Sequence, residues 1–404
     1  MDSNNLAKFP KEIEIIFQIF GDKIRLVGGV VRDLILGKKV NDFDFATELK
    51  PQEIIEILNS HKIRSILVGV KFGTVIAVIN NKNFEITTLR KDVDCDGRRA
   101  EVEFVSDYIF DASRRDFTIN ALYLDKNGEI YDYFQGKKDL ENRVVKFIGD
   151  ANLRIKEDFL RILRFFRFSC NYAAILDEKG LNACIENKSN LKSLSKDRIR
   201  SEVFKMFATA KDEDLIRFFE YLENYKIAAE IFSNNLEIAN FKRLFKIERA
   251  LQIKLCDHLK LFILFFNKDL NLKSFFDDFN FSNKEKKYFE FLFENSLIYK
   301  TLLKDAELRK LLANQAKEFI YDFYLLNALQ NFSFIELSKL DDRLKFINNF
   351  QLSDFPLEAK DLILLGFEGE DIGKSLKITR DLWVQSNFAL GKSDLIKLLK
   401  DKEL

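Results

Sequence analysis

Histidine is almost absent from this sequence, which contains only His61 and His258, far apart along the chain. That scarcity argues against a zinc site, a Ser-His-Asp triad or a histidine-rich phosphohydrolase domain, each of which needs imidazole groups. The four cysteines are scattered and lack CxxC spacing, which indicates reduced thiols in the cytoplasm. Any metal chemistry would then rest on carboxylates, whose oxygen ligands favour magnesium.

Long apolar runs and a strong net charge are also missing. No stretch approaches the roughly 18 apolar residues of a membrane helix, and acids within the apolar N-terminus argue against a signal peptide. We therefore expect a cytoplasmic protein with no membrane segment. The formal net charge is +1, so a nucleic-acid site would have to come from local basic patches.

The pattern of apolar residues changes along the 404 residues, which are enough for more than one core. Up to about residue 145, β-branched runs alternate with Gly and Asn. From residue 155 onward, apolar residues recur at helical spacing. The predicted strands are 43–46, 74–79, 84–89 and 121–124, and the predicted helices include 153–169, 197–208, 212–225 and 256–266. The sequence thus predicts an α+β fold, a small mixed-sheet head followed by an all-α remainder.

A Gly-Gly turn occurs at Gly28 and Gly29, where an apolar strand end meets a segment that should be helical. Glycines at such a turn let backbone N–H groups approach phosphate oxygens, and a following helix N-terminus favours anions. Arg32 would add a fixed charge for a triphosphate. Taken alone, a turn of this kind is more often structural than functional.

Two carboxylates, Asp42 and Asp44, follow this turn. In a strand they would share one face, while Phe43 and Phe45 pack behind them. Like charges repel in that arrangement, and a shared Mg²⁺ would remove the penalty. Glu85, one acid within a later predicted strand, is the candidate third carboxylate. A solvated strand end is the plain alternative for the Asp pair.

Four motifs in this order resemble the class II tRNA nucleotidyltransferases, the CCA-adding enzymes grouped with bacterial poly(A) polymerases. They are GGVVRD at 28–33, DFDFAT at 42–47, RRDFTINA at 114–121 and EDFLR at 157–161. The resemblance implies a polymerase β-like nucleotidyltransferase head, a helical neck with nucleotide-base recognition, and a helical body and tail that bind the tRNA acceptor arm. The expected boundaries of these three parts are 1–145, 146–210 and 211–404.

The resemblance also implies roles for individual residues. Asp42 and Asp44 would hold magnesium, Gly29 and Arg32 would contact the triphosphate, and Glu85 stays the candidate third catalytic acid. Arg115 would contact the nucleotide, with Asp116 and Asn120 as candidates for the ribose. The complete expected nucleotide-binding set is Gly28, Gly29, Arg32, Arg115, Asp116, Asn120, Asp158, Arg161, Arg164 and Arg167.

A helix over 157–168 would place Arg161 and Arg164 opposite an apolar face. An ordinary amphipathic helix with a basic solvent face is the plain alternative. Cytosine and adenine both present an amino donor beside a ring-nitrogen acceptor, which Asp158 and Arg161 could match; uracil and guanine present the reverse polarity. In the family that it resembles, this pair serves as the protein's template for CTP and ATP.

Two further segments complete the predictions. The polar stretch 90–100 should be a mobile loop, which by resemblance helps to switch the pocket from CTP to ATP. The segment 195–205 resembles the family's next helix and should be a structural brace. We therefore expect addition of CCA to tRNA from CTP and ATP with Mg²⁺. A poly(A) polymerase, an enzyme that adds only the terminal A, and a catalytically inactive RNA-binding protein on this fold stay open.

Overall fold

The structure of the protein is a computed structural model that describes residues 9–40, 42–68, 73–95, 100–298, 303–330 and 337–401. The chain divides into two compact units, Met1–Asn235 and Leu236–Leu404. The division into head, neck and body, with boundaries after residues 145 and 210, stays a prediction.

The described part of the first unit contains a mixed sheet and a separate two-stranded sheet. The strands are β1 (Ile24–Val27), β2 (Asp44–Thr47), β3 (Arg64–Val68), β4 (Thr74–Ile79), β5 (Lys82–Thr88), β6 (Arg90–Cys95), β7 (Ala100–Phe104), β8 (Leu122–Leu124) and β9 (Ile130–Asp132). The mixed sheet has the order β3-β4-β5-β2-β1-β8-β9, with β2 and β5 parallel and its other neighbours antiparallel. The predicted strand 74–79 is confirmed, and the other three are shifted at their ends by one or two residues.

Side chains alternate across the mixed sheet, so that one face is buried and the other carries exposed acids. Phe45, Ile86 and Val75 face one another across β2, β5 and β4, and each is 0% exposed. The neighbouring pair Asp44 and Glu85 points to the opposite face and is exposed. The period of two in a strand thus gives the carboxylates a rigid support while leaving them accessible.

Helices connect and follow these strands in the first unit. They are α1 (Lys11–Phe20), α2 (Gly29–Ile35), α3 (Pro51–Ser60), α4 (Tyr108–Ser113), α5 (Gly136–Glu141), α6 (Ala151–Glu157), α7 (Leu160–Tyr172), α8 (Glu178–Asn187), α9 (Lys196–Thr209), α10 (Asp212–Asn224) and α11 (Ala228–Ile231). Single 3₁₀ segments lie at Gly21–Lys23, Thr118–Asn120 and Lys188–Ser193. The predicted helices 197–208 and 212–225 are confirmed as α9 and α10, within one residue at each end.

The helix predicted over 153–169 is interrupted, and that part of the prediction is wrong. Asp158 lies between α6 and α7 and is extended, with φ −156° and ψ 106°. Its Oδ1 accepts a hydrogen bond from the Leu160 backbone N–H at 3.1 Å, an arrangement that competes with helical pairing. Asp158 therefore precedes the first turn of α7 instead of lying inside one continuous helix.

The turn before α5 supports the segment that carries Asn120. Asp132 accepts hydrogen bonds from the backbone N–H groups of Gly136 at 2.8 Å and Lys137 at 2.9 Å. Asp139 of α5 in turn accepts from the Thr118 hydroxyl at 2.7 Å. These contacts hold α5 against the 3₁₀ segment Thr118–Asn120, so Asp132 and Asp139 have a structural role.

Gly136→Ala is expected to destabilise the first unit by about 1–3 kcal/mol, because overpacking a well-filled contact strains the backbone. A Cβ at Gly136 would lie 2.2 Å from the Thr118 carbonyl oxygen, which is backbone and cannot swing away. Thermal unfolding measures the effect. Gly373→Ala is the matched control, because that glycine lies inside a helix with nothing within 4 Å of a new Cβ. An unchanged unfolding temperature for Gly136→Ala would contradict this packing.

The secondary structure of the second unit is helical in its described residues. Its helices are α12 (Ile238–Leu251), α13 (Asp257–Phe265), α14 (Leu272–Phe279), α15 (Asn283–Ile298), α16 (Asp305–Asn314), α17 (Lys317–Gln330), α18 (Leu337–Asn349), α19 (Ala359–Leu364), α20 (Glu370–Gln385) and α21 (Lys392–Asp401). Phenylalanine builds much of its core, as in the packing of the Phe289 ring at 5.6 Å from Phe262 and 5.2 Å from Phe275. The predicted α+β organisation, a mixed-sheet head followed by helices, is confirmed.

Candidate active site

One cavity of about 480 Å³ in the first unit brings together the residues that the sequence singled out for nucleotide binding. All ten line it: Gly28, Gly29, Arg32, Arg115, Asp116, Asn120, Asp158, Arg161, Arg164 and Arg167. Asp33, Phe168, Asn171, Tyr172 and Thr209 also line it and were not in the predicted set. Segments that are far apart in the sequence therefore meet at one place, which we call the nucleotide cavity.

Gly28 forms the turn between β1 and α2 at φ 78°, a conformation that favours glycine. Its N–H donates to the Leu122 carbonyl oxygen at 3.0 Å, which ties the turn to β8. A Cβ at this position would lie 3.2 Å from Arg115 Nη1 and 3.5 Å from the Asn120 carbonyl oxygen. The glycine thus allows two parts of the cavity wall to approach each other closely.

Arg32 is held as a fixed cation, with its side chain 7% exposed. Its Nε and Nη2 donate to the two carboxylate oxygens of Asp33, both at 2.9 Å, and its Nη1 donates to Asn120 Oδ1 at 2.5 Å. The Tyr172 hydroxyl donates to Asp33 at 3.0 Å, and its ring lies 4.1 Å from the Arg32 guanidinium carbon. A planar charge that is held in this way suits the oxygens of a triphosphate.

Asp116 is buried and uses both carboxylate oxygens within the protein. Its Oδ2 accepts from Arg164 Nε at 2.7 Å, and its Oδ1 accepts from Asn120 Nδ2 at 3.1 Å and from the Phe117 N–H at 2.9 Å. Burial opposes ionisation, but the charge of Arg164 and the hydrogen bond from Asn120 outweigh it and hold the pKa of Asp116 below its ordinary value. Asp116 therefore fixes the orientation of Arg164 and Asn120.

A second buried carboxylate, Glu202 of α9, holds the C-terminal end of the arginine row on α7. Its Oε2 accepts from Arg167 Nε at 2.7 Å, and its Oε1 lies 3.7 Å from Arg164 Nη1. Burial again opposes ionisation, and the two arginines outweigh it, so the pKa of Glu202 lies below its ordinary value. The sequence placed Glu202 in a structural brace and did not identify it as a partner of these arginines.

Asp158 and Arg161, the predicted base-reading pair, both face the nucleotide cavity despite the helix break. Arg161 Nη1 donates to Glu157 Oε2 at 2.6 Å and to the Arg154 carbonyl oxygen at 2.8 Å. These contacts orient the guanidinium from the far side. Nη2 also donates to the Arg114 carbonyl oxygen at 3.3 Å, so only the N–H groups outside these three hydrogen bonds could meet a base.

Asp44 and Glu85 lie side by side on the parallel strands β2 and β5 and line a smaller cavity of about 230 Å³. Arg115 lines this carboxylate cavity as well as the nucleotide cavity, and so links the two. Desolvation by the surrounding protein raises the pKa of Asp44, and the charges of Glu85 and Asp42 raise it further against the opposing charge of Arg115. The carboxylates of Asp44, Glu85 and Asp42 therefore act on one another at this point.

The expected strand geometry does not extend to Asp42, because β2 begins at Asp44. Asp42 lies just before the strand, and it is exposed. In the part of the chain that the structure describes, no group of three or more His, Cys, Asp or Glu side chains is placed to hold a metal ion. The donor chemistry of Asp42 and Asp44 fits Mg²⁺ nevertheless, because a divalent cation would relieve their mutual repulsion.

Asp111 is a buried carboxylate that the sequence did not reveal. It accepts from Arg115 Nη2 at 3.0 Å, from Arg114 Nε at 2.8 Å and from the Tyr123 hydroxyl at 2.8 Å. Burial opposes ionisation, but the two arginines outweigh it and lower the pKa of Asp111 to about 2. Asp111 therefore holds Arg115 between the two cavities. Arg114 and Arg115 follow Asp111 at the three- and four-residue spacing of helical ion pairs, and this spacing is the sequence signal that could have identified it.

The segment expected to be a mobile loop is in part a β-hairpin, so that expectation is wrong for its two ends. β6 and β7 pair antiparallel from Arg90 opposite Phe104 to Cys95 opposite Ala100. Residues 96–99 lie outside the described residues. Polar side chains suggested a loop, but an antiparallel pair is joined by backbone hydrogen bonds, which polar sequences can also make.

Comparison with known proteins points to one family. Residues 24–146 match the family described as Poly A polymerase head domain. CCA tRNA nucleotidyltransferase 1, mitochondrial, of Danio rerio is 33% identical over 395 residues, which cover 95% of this chain and 88% of that protein. The Homo sapiens protein of that name is 34% identical over 406 residues, covering 96% of this chain and 89% of that protein.

A solved structure supports the same fold. The CCA-adding enzyme of Bacillus stearothermophilus in complex with CTP is similar with a TM-score of 0.73, covering 97% of both chains at 22% identity. Among the described helices of the present chain, none is both long and apolar enough to cross a bilayer.

Proposed function

The chain belongs to the CCA tRNA nucleotidyltransferase family, and from that membership we propose that it adds the CCA sequence to tRNA 3′ ends, using CTP and ATP. The observation that carries the proposal is the single cavity lined by all ten residues expected to bind the nucleotide. Arg115 connects this cavity to the one that holds Asp44 and Glu85. An NTP in the nucleotide cavity would therefore have its triphosphate directed towards the carboxylates.

The contacts of the side chains support a division of roles. Arg32 and Gly29 would bind the triphosphate, and Arg115 would bind the nucleotide at the passage to the carboxylates. Asp116, which accepts three hydrogen bonds within the protein, would hold Asn120 in place. Asn120 would contact the ribose with the amide hydrogen and lone pair that its bonds to Asp116 and Arg32 leave open. The fixed positive charges need no reorganisation when negative charge moves to the pyrophosphate, which is how preorganised groups stabilise a transition state.

Asp42 and Asp44 would hold the divalent metal of this reaction, which we propose is Mg²⁺, with Glu85 as the third acid. When bound, the metal would favour ionisation of the RNA 3′-hydroxyl and neutralise charge on the departing pyrophosphate. The support from the molecule is the oxygen-only donor set and the repulsion that Glu85 and Asp42 exert on Asp44.

Stepwise incorporation tests the proposal. Purified protein is given tRNA that lacks its last three, two or one nucleotides, with each NTP separately and with Mg²⁺. We expect two additions of C followed by one addition of A. Long A tails would instead support a poly(A) polymerase, and addition confined to tRNA ending in CC would support an A-adding enzyme. No incorporation at all would support an inactive RNA-binding protein.

Deletion of residues 91–99 is expected to leave tRNA ending in CC. This deletion removes most of β6, which belongs to the separate two-stranded sheet, so the mixed sheet that carries Asp44 and Glu85 should still form. C addition to tRNA lacking all three nucleotides is the control within the same sample. Efficient addition of the terminal A by the deletion variant would contradict a role of this segment in the change from CTP to ATP.

We propose the cytoplasm as the site of action. The support is the free state of Cys170, Cys184 and Cys256, which suits a reducing compartment. The vertebrate relatives are named as mitochondrial, so localisation of a tagged full-length chain by fractionation is the direct test.

A further inference from the structure

Helix α9 carries two residues of opposite charge, Arg198 and Glu202, one helical turn apart. Both contact residues that line the nucleotide cavity. Arg198 Nη2 donates to Asp158 Oδ2 at 2.7 Å, and Glu202 accepts from Arg167 at 2.7 Å. Residues four apart lie on one face of a helix. The helix that the sequence suggested as a brace therefore presents a cation to the acid and an acid to an arginine.

Asp158 is held at both carboxylate oxygens. Oδ1 accepts from the Leu160 N–H at 3.1 Å, and Oδ2 accepts the charge-assisted bond from Arg198. The Asp158 side chain is 25% exposed, and it lines the nucleotide cavity. Arg198 is not among the described residues that line this cavity, so it reaches Asp158 from behind. A carboxylate oxygen can accept two hydrogen bonds, so each oxygen of Asp158 keeps capacity for a ligand.

The surroundings of Asp158 explain why such a hold is needed. Arg161, Arg164 and Arg167 line the same cavity, and the negative charge of Asp158 already acts on Arg164. An unrestrained carboxylate would be drawn towards these arginines. A salt bridge formed inside the cavity would use up the acceptor and a donor that must both be offered to the base.

We propose that Arg198 is a positioning residue that keeps the Asp158 carboxylate turned towards the amino group of cytosine or adenine and away from the arginines of α7. The inference rests on the proposed function, because it assumes that Asp158 reads the base. Arg198 does not line the nucleotide cavity, so it would act on the base through Asp158. Its effect is on the choice of nucleotide, because a misdirected carboxylate weakens binding of the amino group that only cytosine and adenine present at this position.

The test compares Arg198→Gln with Arg200→Gln. Arg200 lies on the same helix, where its guanidinium carbon lies 5.2 Å from the Phe204 ring centroid, and it does not line the nucleotide cavity. The ratio of kcat/KM for CTP to that for UTP is measured on tRNA lacking CCA, and the ratio for ATP to GTP on tRNA ending in CC. For Arg198→Gln we expect both ratios to fall about tenfold. The fall should come from lower kcat/KM for CTP and ATP, while kcat/KM for UTP and GTP changes least. For Arg200→Gln both ratios should match wild type.

A double-mutant cycle separates positioning from general structural support. On an Asp158→Ala background, Arg198→Gln should cause no further change in either ratio, because the group through which it acts is gone. Arg198→Lys should restore part of the selectivity, since a cation without the planar fork remains. Equal losses for all four NTPs in Arg198→Gln would overturn the inference, as would a further loss of selectivity on the Asp158→Ala background.

The outcome also separates this inference from the proposed function. Wild-type protein that adds no C or A to tRNA would contradict the proposed function itself. Wild-type protein that completes CCA, combined with unchanged nucleotide ratios in Arg198→Gln, would contradict the role of Arg198 alone.

Discussion

Asp44→Asn is expected to lose nucleotide incorporation by at least about 10³-fold, because a metal held by carboxylates contributes several kcal/mol to the barrier and each ~1.4 kcal/mol changes the rate tenfold. Asparagine keeps the size of the side chain and removes its charge. The side chain is exposed at the start of β2, so the strand should keep its pairing. Single-turnover incorporation of CTP into tRNA lacking CCA, at saturating Mg²⁺, measures the loss.

Glu48→Gln is the matched control for this substitution. Glu48 is an exposed acid just beyond the other end of β2, and it lines neither cavity of the site. Its variant should incorporate CTP at the wild-type rate. CTP binding by Asp44→Asn without metal should be retained, because Arg32 and Arg115 are untouched. An Asp44→Asn protein that folds, binds CTP and turns over normally would exclude Asp44 as a metal ligand.

Much of the nucleotide cavity could be predicted because its residues lie in short segments whose chemistry is local. Three short patterns each indicate a function within a few residues. They are a glycine turn, a carboxylate beside aromatic strand residues, and an acid followed by arginines at helical spacing. The strand Thr74–Ile79 was equally predictable from the sequence, because it is a short run rich in β-branched residues. These features need no knowledge of which distant segment packs nearby.

The unpredicted parts depend on tertiary contacts or on competition between a side chain and the backbone. The Tyr123 hydroxyl meets Asp111 only in the fold, although the two arginine partners of Asp111 follow it at helical spacing. The break at Asp158 arises because its carboxylate accepts from the Leu160 N–H, whereas the apolar periodicity alone favours a continuous helix. Arg198 likewise contacts Asp158 only because α9 packs beside the start of α7, which the sequence does not reveal.

The buried ion pairs at the cavity wall are better explained by geometry than by stability. Removing a carboxylate and a guanidinium from water is expensive, and a buried pair often contributes no net stability against apolar residues. Asp116 with Arg164 and Glu202 with Arg167 nevertheless lie behind the same wall. Each pair fixes the guanidinium of an arginine that lines the cavity. This is the pattern expected where the direction of a donor matters more than the free energy of unfolding.

Substituting the two base-reading residues should abolish the preference for C and A over U and G. Asp158→Ala removes the acceptor for the amino group of cytosine or adenine, and Arg161→Ala removes the donor to the adjacent ring nitrogen. Each change is expected to lower kcat/KM for CTP and ATP by about 10- to 100-fold, because one ligand group is left without its partner. The kcat/KM values for UTP and GTP should fall much less, because uracil and guanine present the opposite polarity and do not make these two hydrogen bonds.

Lys156→Ala is the control, because Lys156 is an exposed charge two residues before Asp158 and does not line the nucleotide cavity. The double variant with both reading residues changed should lose less than the sum of the single losses, because the two groups bind one base edge and neither retains its full value without the other. Steady-state kinetics with each of the four NTPs on one tRNA distinguishes the possibilities. If all four NTPs lose activity in equal proportion, the pair supports the cavity without reading the base, and the selectivity for C and A must arise from other groups of its wall.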